Sequence, residues 1–103
     1  MSTIYNKLVR DNIIEMLDAK SIPHREHIAK TDEEYEEKLF DKLLEEVKEV
    51  IQDKSREEIA DLLQVIEAIK TLKGFTTEEI EAIRRKKLED RGGFEKKIIL
   101  EQS

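Results

Sequence analysis

The chain lacks cysteine and tryptophan, and holds one proline, three glycines and few aromatic residues. Without cysteine there is no disulfide framework, no thiolate catalysis and no Cys-based zinc site. No apolar run approaches the roughly 18 residues that a membrane span needs. The first residues, Met1 to Lys7, lack the apolar segment of a signal peptide. These absences give the expectation of a cytoplasmic protein with no membrane partner. A basic surplus is missing too, because 19 Lys and Arg face 25 Asp and Glu, for a net charge of -6. Nonspecific nucleic-acid binding needs the opposite balance, so no nucleic-acid partner is expected.

What is present is charge and helix-forming residues. Charged residues make up 43% of 103 residues, and Glu, Lys, Leu and Ile dominate, so one mostly helical domain is expected. Three Ser/Thr residues precede a Glu by three: Thr31 and Glu34, Ser55 and Glu58, Thr76 and Glu79. Each pair reads as a capping box at a helix start. The helices then run from about Asp32 to Gln52, Arg56 to Lys73, and Thr77 to Asp90, with Gly74 and Gly92-Gly93 as stops. An earlier helix is expected from about Val9 to Ala19, with Leu8, Ile13, Leu17 and Met16 turned inward. Pro23 marks Lys20 to Lys30 as a connector, extended around Arg25 to Ala29. His24 and His27 lie there and read as solvated. Residues 94–100 read as an extended or packed tail.

The second helix gathers Leu39, Phe40, Leu43, Leu44, Val47, Val50 and Ile51 on one broad face. Glu46 falls at its edge and Glu49 on the outer side. The third helix is apolar over too wide an arc for one partner, so it is central or shared with another subunit. Four helices from 103 residues bury little surface alone. The expected fold is therefore all-α, a four-helix bundle completed by a homodimer or tetramer.

The chemistry-bearing residues cluster between Glu45 and Asp61. Glu46/Glu49 and Glu58/Asp61 are i, i+3 pairs, separated by the polar link Gln52-Asp53-Lys54-Ser55. Residues three apart share one side of a helix. If the link reverses the chain, both pairs meet near one end of a helical hairpin. Four converging carboxylates repel one another unless they hold a cation, and hard oxygen ligands suit Mg²⁺ or Mn²⁺. A plainer reading stands beside this one. Glu58 is the acidic arm of a cap, and Glu45, Glu46 and Glu49 are surface charges or partners of nearby lysines. Asp61 resists that reading, because it lies beyond the first turn and faces the apolar arc. Arg84, Lys87 and Arg91 form a basic stripe at i, i+3, i+7, and Lys7 and Arg10 are three apart. The stripe is either a solvated face or the counterpart that phosphate groups require.

The acidic arrangement resembles the Glu-Glu-x-x-Glu … Glu-x-x-Asp signature of the all-α nucleotide pyrophosphohydrolases, the MazG and phosphoribosyl-ATP pyrophosphohydrolase superfamily. Lys7-Leu8-Val9-Arg10-Asp11 and Arg91-Gly92-Gly93-Phe94-Glu95-Lys96 resemble blocks of a small-protein branch of it, so the likeness spans about residues 5–100. It implies a MazG-like fold in which Glu46, Glu49, Glu58 and Asp61 hold Mg²⁺, with Glu45 as an adjacent or additional ligand. It implies that Glu46 or Glu49 activates water and that Lys87 and Arg91 face the phosphates, while the basic spacing alone adds Arg84, Lys7 and Arg10 as phosphate-binding candidates. The implied reaction is Mg²⁺-dependent hydrolysis of a nucleoside triphosphate to monophosphate and pyrophosphate, with nucleotide-pool house-cleaning as its use. Other substrates of that class, such as phosphoribosyl-ATP or a nucleotide sugar, stay open, as does a noncatalytic helical dimerisation module. Two departures stand out. Only eight residues separate Glu49 from Glu58, and Asn12-Ile13-Ile14 stands where the branch often has Lys-Ile-Pro.

Overall fold

A computed structural model describes residues 3–103 and contains four helices, with no strand among the described residues. They are α1 (Ile13–Ala19), α2 (Asp32–Asp53), α3 (Arg56–Lys73) and α4 (Thr77–Arg91). The last three match their expected bounds to within a residue. The first begins four residues late. Asn12 precedes it without a side-chain cap, and residues 3–10 form no regular structure. Contacts made elsewhere hold that segment out of a helix. Lys38 Nζ donates to the Asn6 carbonyl at 2.9 Å, and Lys7 and Arg10 reach acids on α2 and α3. Met16, expected to face inward, is exposed.

Each N-terminal hydroxyl caps its helix as anticipated, with Thr31, Ser55 and Thr76 accepting from the N–H three residues on. The reciprocal half of the box forms at Thr76/Glu79. At Thr31, the Glu34 carboxylate reaches one residue further and accepts from the Lys30 N–H at 2.7 Å. At Ser55, Glu58 turns its carboxyl group away from the cap altogether.

The link between α2 and α3 is as tight as two helices allow. Lys54 adopts a left-handed conformation (φ 52°) and its N–H closes α2 on the Val50 carbonyl at 2.9 Å. Ser55 then starts α3. Lys54 spends its ammonium group on the Ile51 carbonyl at 2.7 Å, satisfying another free end of the helix. The chain reverses, and an ion pair between Lys73 and Glu36 ties the far end of the hairpin.

This hairpin is the one extensive helix–helix contact among the described residues. Leu39, fully enclosed, and Val65 are its buried apolar side chains, with Leu43, Val50, Leu62, Ile69 and Leu72 half-buried beside them. The broad apolar face expected on α2 is therefore split. Leu39, Leu43 and Val50 turn toward α3, whereas Phe40, Leu44, Val47 and Ile51 stay exposed. No residue of α4 is buried. The radius of gyration is 18.2 Å and the long axis 55 Å, against about 13 Å for a compact chain of this length. A closed four-helix bundle does not form within one chain.

A candidate acidic metal centre at the hairpin tip

The reversal at Lys54-Ser55 brings the end of α2 against the start of α3, and the acids of both helices with it. One carboxylate oxygen each from Glu46, Glu58 and Asp61 lies within 4.8 Å of the others. Glu46 is only 5% exposed, and its Oε2 has no hydrogen-bond partner. The Oε2 of Glu58 is likewise enclosed and unpartnered. A buried carboxylate oxygen with nothing to bind carries a large desolvation cost. A cation among the three acids would remove it. The donor set is all carboxylate oxygen, which suits Mg²⁺ or Mn²⁺.

Glu46 lies in the seam between the helices rather than at the edge of the apolar face. Its angular position, about 20° from Leu39 at 100° per residue, puts it on the α3-facing side. Glu49, expected on the outer side, has its carboxyl group against that of Glu58. This contact shows in the titration. A hydrogen bond with Glu49, then burial and the charges of Glu49, Asp53 and Asp61, push Glu58 up to about 7. Burial and the Glu49 charge also raise Glu46, with the Lys42 ammonium acting in the opposite sense. Two neighbouring carboxyl groups that resist ionising are a site short of positive charge.

Among the described residues, three basic side chains pair with these acids. Arg10 Nη2 donates to Asp61 Oδ1 at 2.7 Å, and Lys7 Nζ to Glu45 Oε1 at 3.1 Å. Lys42 stands 3.4 Å from Glu45 and 3.5 Å from Glu46. Burial pushes the Glu45 carboxyl up, but the Lys7 hydrogen bond and the charges of Lys42 and Lys7 outweigh it and hold it low. Glu45 is thus the neutralised acid of the group, bordering the cluster rather than joining it. The plainer reading of Glu45 and Glu46 as partners of a nearby lysine is met by Lys42, which lies three and four residues before them.

The basic stripe of α4 is placed elsewhere. Arg84 pairs with Glu81 of its own helix at 2.7 Å. Among the described residues no ion pair links Arg84, Lys87 or Arg91 to the acidic cluster. Asp11, at the turn before α1, is exposed. A shallow hollow over Asp41, Leu44, Glu45, Lys48 and Glu49 skirts the cluster without including Glu46, Glu58 or Asp61. The histidines are not simply solvated. His24 sits between Asp18 and Glu26, 2.5 Å from each, and those hydrogen bonds raise its pKa. His27 pairs with Glu34 at 3.0 Å.

No protein-family model, curated protein or solved structure matches the chain. No helix among the described residues is long and apolar enough to cross a membrane.

Proposed function

We propose that the chain is a divalent-metal-dependent nucleotide pyrophosphohydrolase that works as a homodimer or tetramer. The observation that carries this reading is Glu46, buried, with an unpartnered oxygen beside Glu58 and Asp61. Those three acids hold Mg²⁺ or Mn²⁺, and Glu49 adjoins them through Glu58. When bound, the cation neutralises phosphate charge and lowers the pKa of water. Water attacks the phosphorus of a nucleoside triphosphate, and the bond between the α and β phosphates breaks to leave a monophosphate and pyrophosphate. Glu49 or Glu46 accepts the proton of the water.

Lys7 and Arg10 border the cluster through Glu45 and Asp61, and with Lys42 beside Glu46 they are the cations available to an incoming phosphate. Arg84, Lys87 and Arg91 enter this reading through the spacing of their stripe, and Lys87 and Arg91 through the family resemblance as well; the MazG-like assignment and the house-cleaning role rest on that resemblance alone. The same geometry serves a phosphoribosyl-ATP-like substrate. A noncatalytic association module is favoured by a different observation, the large apolar surface that the hairpin leaves exposed.

Pyrophosphate release from a panel of canonical, damaged and sugar-linked nucleotides, with Mg²⁺ or Mn²⁺, tests the proposal. The native chain releases pyrophosphate and a folded Asp61→Asn variant does not. Silence across the panel, with no tightening of the fold by either metal, would leave the noncatalytic reading.

A further inference from the structure

We infer that the connector between α1 and α2 is a proton-operated clasp, closed while His24 bridges Asp18 and Glu26 and opened when its ring loses a proton. His24 Nε2 lies 2.5 Å from Asp18 Oδ1, and its Nδ1 lies 2.5 Å from Glu26 Oε2. A neutral imidazole has one N–H and one bare nitrogen, so it donates to only one of these carboxylates. The bare nitrogen then meets the other carboxylate lone pair against lone pair. Only the imidazolium donates from both sides, and the geometry is that of the charged ring.

The chain around His24 is shaped to hold this ring. Ser21 takes a left-handed conformation (φ 56°), and the N–H groups of Ser21 and Ile22 close the end of α1 on the Asp18 and Leu17 carbonyls at 3.0 Å each. The connector then turns back, and the ring becomes the enclosed member of the trio, at 20% exposure against 64% for Asp18 and 45% for Glu26. Among the described residues, the charges that act on it are these two, one from α1 and one from the connector itself. Both are negative. Hydrogen bonds to Asp18 and then to Glu26 hold its pKa above the ordinary 6.5. The clasp is therefore complete below pH 6.5 and is lost as pH rises through the higher folded value.

Little else fixes the end of α1. None of its residues is buried, and it has no extensive contact with another helix among the described residues. His27 continues the tie on the other side of the connector. Its Nε2 meets Glu34 Oε2 of α2 at 3.0 Å, and Glu34 also accepts from the Lys30 N–H. The two histidines thus join α1 to the start of α2. Opening at His24 frees the trailing end of α1, whose leading end follows Lys7 and Arg10 on Glu45 and Asp61. The clasp stands whether or not the acidic cluster binds a metal.

Nuclear magnetic resonance of the full chain tests this, with EDTA present so that no metal intervenes. The His24 ring should titrate above 6.5. The backbone of residues 20–27 should gain fast mobility with the same midpoint, read from heteronuclear NOE values. Asp18→Asn and Glu26→Gln should each lower that midpoint. His24→Gln cannot reach both acids at once, so its connector should be mobile at every pH. These variants leave the α2/α3 hairpin untouched, and their helical circular dichroism should match that of the native chain. A His24 ring that titrates at or below 6.5, or a connector whose mobility ignores that titration, would overturn the clasp. So would a midpoint that stays put in both carboxylate variants, or a connector that remains rigid in His24→Gln.

Discussion

Arg10 donates to Asp61 at 2.7 Å across 51 positions of sequence, placing a guanidinium on one of the three acids that converge at the hairpin tip. The same acid is a candidate metal ligand, so arginine and cation compete for it. The pair is largely exposed, and exposed pairs are weak. Arg10→Ala should therefore tighten Mn²⁺ binding only modestly, by roughly two- to fivefold, in a calorimetric titration. If Arg10 also meets the phosphates, the same variant should weaken binding of a nonhydrolysable triphosphate. Unchanged metal affinity would show that Arg10 merely anchors the N-terminal segment.

Glu58 carries the clearest pH signature. Its folded pKa, pushed up to about 7, lies above the ordinary carboxylate value, so the folded state holds the proton where the unfolded state has released it. Its contribution to stability is therefore full at low pH and is lost as pH rises from about 4.5 through about 7. In EDTA, melting temperature should fall across that window, and Glu58→Gln should flatten the fall. Added Mg²⁺ should restore stability above pH 7, where the carboxylate is free to bind it. A profile with the same slope in both proteins would contradict the shared proton with Glu49.

Glu46 opposes function to stability. Its carboxyl is buried with one oxygen unpartnered, a cost that an apolar side chain avoids. Glu46→Leu should abolish metal binding yet raise metal-free stability by roughly 1–3 kcal/mol in urea denaturation. A loss of stability would mean that its 3.5 Å pair with Lys42 is worth more than the burial costs.

Leu39 is the most deeply buried side chain, at 1% exposure. Leu39→Ala should cost about 2–5 kcal/mol, and with so small a core that is enough to reduce the helical signal at 37 °C. Leu100→Ala, at 79% exposure, should change little by the same measurement.

Much of the hairpin was legible in the sequence because its signals are local. A hydroxyl three residues from an N–H starts a helix whatever lies around it, and Thr31, Ser55 and Thr76 all do so. The late start of α1 was not legible. Its cause is the grip of residues 38, 45 and 61 on a segment far from them in sequence. The convergence of Glu46, Glu58 and Asp61 followed from i, i+3 spacing and a short link. The meeting of Glu49 with Glu58 followed from the same reversal, although the helical wheel set Glu49 on the outer side of α2.

By itself the sequence determined the three longer helices, their ends and the group of acids at the reversal, all through interactions within a few residues. Tertiary structure decided what each side chain does with its position. It gave Glu58 to the cluster instead of the cap, set Arg10 on Asp61, and divided the apolar arcs into a buried seam and an open face. These choices depend on the angle at which α2 meets α3, and that angle is set by how Leu39 and Val65 pack across the hairpin rather than by any local signal.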